Sequence, residues 1–272
     1  MALNHRQIGQ PLTTGSPGLR LDPTPGSERA VGLARAGRAR TVCTGGAASV
    51  VRSSGMPAPI PTHHARQGRV SALTRARLEN LLPRHTVSSL PVEPRTAFGR
   101  VSRFVIEIGS GHGDSAAAYA RSHPGSDVLA IEVHRNGVAR LLAAADEQEL
   151  TNLWVEASDA VAFVSGHTTS ATVDEFHVFF PDPWPKARHA KRRLLCADAL
   201  DLWRDRLRTG GLIRFATDHP SLLRHTLAEV ERHGGFAARA VARPWWRPAA
   251  GFEDRGGAEG RQSVYLELVP LS

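Results

Sequence analysis

Lysine and cysteine are almost missing from this sequence. Two lysines, Lys186 and Lys191, stand against 32 arginines among 272 residues, and both fall within one short window. A compact ammonium and a planar guanidinium are not interchangeable at a tight site, so that window is marked out. The two cysteines, Cys43 and Cys196, cannot build a disulfide framework or a structural zinc site. Their scarcity points to a reducing, cytoplasmic setting. No run approaches the roughly 18 consecutive apolar residues that a membrane span needs. The opening MALNHRQIGQPLTTGSPG lacks the apolar core of a signal peptide. Membrane protein, secreted scaffold and zinc module are excluded, and neither a metal nor a membrane partner is expected.

What is present is ordinary in amount and uneven in place. Apolar residues make up 41% and charged residues 22%, as in globular proteins generally. The length suits one large domain or two small ones. Residues 1–100 hold 14 arginines, no lysine and 4 acidic residues, a balance of +10, and the remainder balances at −2. The basic excess therefore sits in the N-terminal third, as an arm would carry it. Such an arm favours a polyanion, most simply nucleic acid.

Residues 1–60 are rich in Gly, Pro, Ser, Thr and Arg without a sustained period, and cannot bury enough surface to offset ordering entropy. A disordered leader is expected there, with Met56 as an alternative start. Residues 61–100 read as a basic arm with a short helix from Ser71 carrying Leu78, Leu81 and Leu82 on one face. Residues 101–272 alternate strands and helices. Strand candidates are 103–109, 127–132, 152–156, 174–180, 211–217 and 262–270. Helix candidates are 113–122, 134–149, 159–165, 190–208 and 219–233, the last with Leu223, Leu227 and Val230 on its apolar face. This alternation predicts an α/β domain with a doubly wound, mostly parallel sheet.

The first strand ends in Glu107-Ile-Gly109-Ser-Gly111-His-Gly113-Asp. In such sheets ligands bind at the carboxyl ends of strands, and glycines there let backbone approach a cofactor. A dinucleotide fingerprint needs G-x-G-x-x-G/A, whereas Asp114 holds its third glycine position. Glu107 would also repel a pyrophosphate. Glu132 ends the second strand, where an acid accepts ribose hydroxyls, and Asp159 follows the third. Three acids around one crevice suit S-adenosylmethionine, whose sulfonium and ammonium are cationic.

The fourth strand runs into Phe179-Phe180-Pro181-Asp182-Pro183-Trp184-Pro185-Lys186. Prolines on both sides of Asp182 predict a rigid turn holding that carboxylate. Trp184 offers a face on which a base could stack. Lys186, Arg188, His189, Lys191, Arg192 and Arg193 form a cationic patch beyond it. As a bland alternative, Asp182 caps a surface helix and the charges are solvated.

From about Arg66 onward the sequence resembles bacterial tRNA (guanine-N7)-methyltransferases of the TrmB type. FFPDPWPKARHAKRR carries most of the resemblance, supported by IEIGSGHGDS, AIEVHRNGV, FATDH and RPAAGFEDRG. The resemblance implies a Rossmann-like class I S-adenosylmethionine-dependent methyltransferase with an antiparallel C-terminal strand. It would act on the variable-loop guanine of tRNA. It implies cofactor binding by Glu107, Glu132, Asp159 and Asp182, with Asp182 also catalytic, and the glycine loop adds Gly109 and Gly111 as cofactor-binding positions. It implies substrate binding by Lys186, Asp218, Phe252 and Glu253, and the charge patch adds Arg192 and Arg193. The sequence departs from the family at Ala250, where a hydroxyl residue is usual, at Pro185 and at His219. Other readings are an amino-directed base methyltransferase, a NAD(P)-dependent oxidoreductase, and a non-catalytic RNA-binding protein on the same fold.

Overall fold

The computed structural model describes residues 69–184, 186–249 and 252–271. The leader 1–60, with Cys43 and Met56, lies outside them, as do Arg66, Pro185 and Ala250. Five apolar runs form parallel strands: β1 (Arg103–Ile108), β2 (Ser126–Ile131), β3 (Leu153–Glu156), β4 (Val173–Phe179) and β5 (Leu207–Thr217). Two more, β6 (Phe236–Val241) and β7 (Val264–Pro270), complete a seven-stranded sheet of order β3-β2-β1-β4-β5-β7-β6. β7 runs antiparallel to both neighbours. The order reverses between β1 and β4, which are parallel neighbours. Their carboxyl ends therefore open the crevice where ligands of doubly wound sheets bind. The expected α/β, Rossmann-like fold class is the one observed.

Side chains alternate across the strands, so each apolar run feeds two cores. Phe104, Ile106, Phe176, Ile213 and Phe215 pack on one face against α5 (Ala160–His167), α6 (Ala197–Arg206) and α7 (Pro220–His233). Val105, Val128 and Ala130 pack on the other face against α3 (Asp114–Ser122) and α4 (Arg135–Glu147). The N-terminal arm adds α1 (Ala72–His85) and a single turn, α2 (Pro94–Ala97). Ser71 caps α1 by accepting the Thr74 N–H at 3.0 Å, and Leu78, Leu81 and Leu82 lie against the second core. The last short helix, α8, is Phe252–Ala258.

Three expectations need correction. The helix expected over 190–208 is broken: a 3-10 turn covers Ala187–Arg192, and α6 begins only at Ala197. Leu195 is buried in the intervening bend, and the Trp203 indole N–H donates to the Leu194 carbonyl at 3.0 Å. Burying that leucine outweighs continuing a charged helix. On α7 the fully buried face is Leu222, Thr226 and Val230, while Leu227 is exposed. β6 was not expected at all, because it is an edge strand whose middle four residues are exposed and so carry no apolar alternation.

One row of register partners crosses five strands: Glu107 on β1, His177 on β4, Arg214 on β5, Glu267 on β7 and Arg239 on β6. Glu175, two residues before His177, accepts from Arg214 at 2.8 Å and pairs with Arg103. Glu267 bridges Arg214 and Arg239. Burial alone would raise the Glu175 carboxyl. The hydrogen bond and charge of His177, together with Arg214, instead hold it well below the usual carboxylate range.

Candidate active site

The loop after β1 is built from glycines in a left-handed conformation, with φ of 69° at Gly109 and 57° at Gly111. No atom lies within 4 Å of where a Cβ would stand on either, so this loop faces open space. Its other side is packed tightly. A Cβ on Gly137 of α4 would meet the Gly111 carbonyl oxygen at 2.4 Å.

Glu132 fastens this loop. One carboxylate oxygen accepts the Gly111 N–H at 2.7 Å and the other accepts the His134 N–H at 2.8 Å. A carboxylate has about four lone-pair sites, so two remain for hydroxyl groups of a ligand. Asp159 ends the next strand–helix connection and caps α5, accepting the Ala162 N–H at 3.0 Å. Glu107 is buried at the base of the crevice with its Oε2 lacking a hydrogen-bond partner, and the Ser110 and Ser158 hydroxyls, in the loops after β1 and β3, are likewise unsatisfied.

The Pro181-Asp182-Pro183 turn is held from both ends. Phe180 and Trp184, which flank it, both have positive φ, 50° and 42°. Non-glycine residues adopt this region only where surroundings enforce it, typically at functional sites. The Phe180 N–H still pairs with the Ala216 carbonyl at 2.8 Å, which anchors the entry to β5. At the exit, Arg193 donates to the Pro183 carbonyl at 3.1 Å and to the Trp184 carbonyl at 2.9 Å. Asp182 itself is exposed at the crest.

This geometry revises the cationic patch. Arg193 is buried under the turn, so it supports the turn and does not reach for phosphate. Trp184 is 4% exposed, with the Arg192 guanidinium 4.9 Å over its ring and His189 at its edge, so it is not an open stacking platform. Lys186 and Arg188 remain exposed. The side chain of Lys191 lies outside the described residues, as does that of Phe252.

A model of the family described as "Putative methyltransferase" matches residues 102–262. The tRNA (guanine-N(7)-)-methyltransferase of Nitrosomonas europaea is 42% identical over 203 residues, covering 73% of this chain and 91% of that protein. The enzyme of the same name from Burkholderia lata is 37% identical over 216 residues, covering 75% and 85%. That from Nitrosococcus oceani is 34% identical over 207 residues, covering 75% and 88%. This chain belongs to the tRNA (guanine-N(7)-)-methyltransferase family.

For a methyltransferase of this family, the C-terminal segment holds the residues that sequence reasoning missed. The Arg247 guanidinium lies 5.0 Å from the Phe179 ring centre and 4.9 Å from that of Phe180, directly beneath the strand end that leads into Asp182. It pairs with Glu253 and donates to the Tyr265 hydroxyl at 2.9 Å, while that hydroxyl donates to Glu253 at 2.7 Å. Burial and the bond to Glu253 push the Tyr265 phenol far up. Glu253 is thus tied to β4 through Arg247, and Asp218 accepts from Arg261 at 2.8 Å. Gly256 of α8 sits so close that a Cβ there would stand 2.2 Å from Asp218 Oδ2. The signal for this cage was Arg247 at the head of the RPAAGFEDRG motif, directly after two tryptophans.

Proposed function

We propose that this protein transfers the methyl group of S-adenosylmethionine to N7 of a guanine in tRNA, forming 7-methylguanosine, and that the target lies in the variable loop. The observation that carries this reading is the strained Pro-Asp-Pro turn. It stands at the end of β4 beside a glycine loop that faces open space, in a chain of this family.

The crevice fits a cofactor of that chemistry. Gly109 and Gly111 leave room for it, Glu132 keeps acceptor positions for hydroxyl groups, Asp159 stands at the end of the next strand–helix connection, and Glu107 offers a buried carboxylate oxygen to a cation. When bound, S-adenosylmethionine supplies an electrophilic methyl group on a sulfonium sulfur. Guanine N7 already has a lone pair, so no side chain needs to remove a proton. The residues' task is alignment and exclusion of water. Methylation at N7 leaves positive charge on the purine, and a fixed carboxylate at Asp182 stabilises that charge as it develops. The same carboxylate can accept from guanine's amino edge. Lys186 and Arg188, both exposed beyond the turn, would hold phosphates, and Asp218 with Arg261 would border the nucleotide.

Among the described residues no helix is long and apolar enough to cross a membrane, and no group of His, Cys, Asp and Glu is placed to hold a metal. Cytoplasmic tRNA is the partner this reading requires. Incubation with tRNA and methyl-labelled cofactor, followed by nucleoside analysis, tests it. Label in 7-methylguanosine is the expected result. Label on an exocyclic amino group, or none, overturns the proposal.

A further inference from the structure

Below the glycine loop, two buried groups face each other without a bond. Glu107 Oε2 and His177 Nδ1 stand 3.8 Å apart, beyond hydrogen-bond reach, and neither has another hydrogen-bond partner. His177 is fully buried, and its other nitrogen meets Glu175 Oε2 at 2.9 Å. The Trp246 ring stacks on the imidazole at 5.3 Å between centres, and Tyr119 meets it edge-on at 5.0 Å. A flat indole face over an imidazole favours the cationic ring.

The groups that face His177 can be named element by element. β1 brings Glu107, β4 brings Glu175, on which Arg103 of β1 also lies, and β5 brings Arg214 as its register partner. α3 brings Tyr119, His123 just beyond it meets the far side of that cluster at Trp246, and the segment after β6 brings Arg247 beside Phe179. Glu175 has both Arg103 and Arg214 to balance it. Among the described residues, Glu107 forms an ion pair with His177 alone.

We propose that His177 is the buried counterion of Glu107, and that binding of a cationic cofactor at Glu107 expels the proton from His177 to solvent. This rests on the reading of the crevice as the cofactor site. Burial works against a charged His177, but its contacts with Glu107 and Glu175 outweigh that and raise its proton affinity above the ordinary value. A second cation arriving at the same carboxylate repels the imidazolium through low-dielectric surroundings. Coupling between two ligands is reciprocal, so the proton weakens cofactor binding as much as the cofactor weakens proton binding. His177 is then a positioning residue that sets the charge at Glu107 and need not touch the substrate.

Calorimetric titration of the full chain with S-adenosylmethionine, in buffers of different ionisation enthalpy, counts the protons released. In the wild type, net release is expected, with affinity rising at least about fivefold as pH passes through the His177 transition. His177→Gln should bind with pH-independent affinity and release no proton. Glu175→Gln keeps the imidazole but removes the charge of its 2.9 Å partner, so the release should move to lower pH. If His177→Gln does not fold, that shift decides the question. Binding without proton release by the wild type overturns the proposal alone, as does release that persists in His177→Gln or stays in place in Glu175→Gln. Failure of the wild type to bind the cofactor at any pH overturns the cofactor reading as well.

Discussion

The Arg193 guanidinium donates to the Trp184 carbonyl oxygen at 2.9 Å, closing the basic segment back onto the turn that precedes it. A charge that looks solvated in the sequence thereby becomes a strut under Asp182. Replacing it should loosen the turn and remove two hydrogen bonds to its carbonyls, one of them buried. Arg193→Ala should lower stability by about 1–3 kcal/mol, the usual cost of orphaning buried polar groups. Chemical denaturation measures that loss. A variant as stable as the wild type would show that the turn is held by other means.

Phosphate contacts should come from the exposed part of the same segment. Each phosphate neutralised contributes about 0.7–0.9 to the slope of log affinity against log salt. Lys186→Ala combined with Arg188→Ala should flatten the slope for tRNA by roughly 1.5, and Arg193→Ala should leave it unchanged. Filter binding over a salt series separates them. Equal slopes for the double variant and the wild type would place these two side chains away from RNA.

Asp182→Asn preserves the size of the side chain and the flanking prolines while removing the charge. If the carboxylate stabilises charge on the purine, kcat should fall about a hundredfold with tRNA affinity nearly intact. Single-turnover kinetics with saturating cofactor reads this directly. Near wild-type turnover would leave Asp182 a structural role only.

Glu132 has a double duty, because it holds Gly111 and His134 and still has acceptor positions to offer. Glu132→Ala should weaken S-adenosylmethionine binding by about 1–3 kcal/mol and also lower Tm. Glu132→Gln can still accept one of the two N–H groups, so it should recover part of the stability and less of the affinity. Identical affinities for the three proteins would remove Glu132 from the cofactor site.

The charged row also sets a pH window for stability. Glu175 is depressed, so its contribution is present above its unfolded value near 4.5 and disappears as pH falls through the folded one. His177 is raised, so its contribution is full below 6.5 and is lost as pH rises through its folded value. Without cofactor, Tm should be highest between these limits and fall on both sides. Glu175→Gln should flatten the acid limb. An acid limb of unchanged steepness in that variant would mean other carboxylates control it.

The parallel strands and their ligand crevice were readable because Val, Ile, Leu and Phe recur in short runs that end at Glu107, Glu132 and Asp159. Asp182 announced itself through two prolines. What stayed hidden depends on long-range pairing. β6 is exposed along its middle, so nothing in its pattern demanded a strand. Arg193 and Arg192 lie next to each other in sequence, yet one supports backbone carbonyls and the other covers Trp184. Arg247, Tyr265 and Glu253 meet only because β7 slots in beside β5. Charged residues at Glu175, His177, Arg214 and Glu267, inside otherwise apolar strands, were the available hint of a buried network.

The position of β7 between β5 and β6 governs the order of assembly during synthesis. β6 leaves the ribosome about 28 residues ahead of β7, the strand it lies beside at the sheet edge. The N-terminal half of the sheet can form as it emerges, in keeping with the vectorial folding of growing chains. The edge of β5 must wait uncovered until Val264–Pro270 arrives. Tyr265 comes with that strand, and with it the clasp on Arg247 and Glu253. A nascent chain stalled before β7 would thus have its glycine loop and Pro-Asp-Pro turn but an unlatched C-terminal flank. Maturation of the site is timed by the last strand to join the sheet.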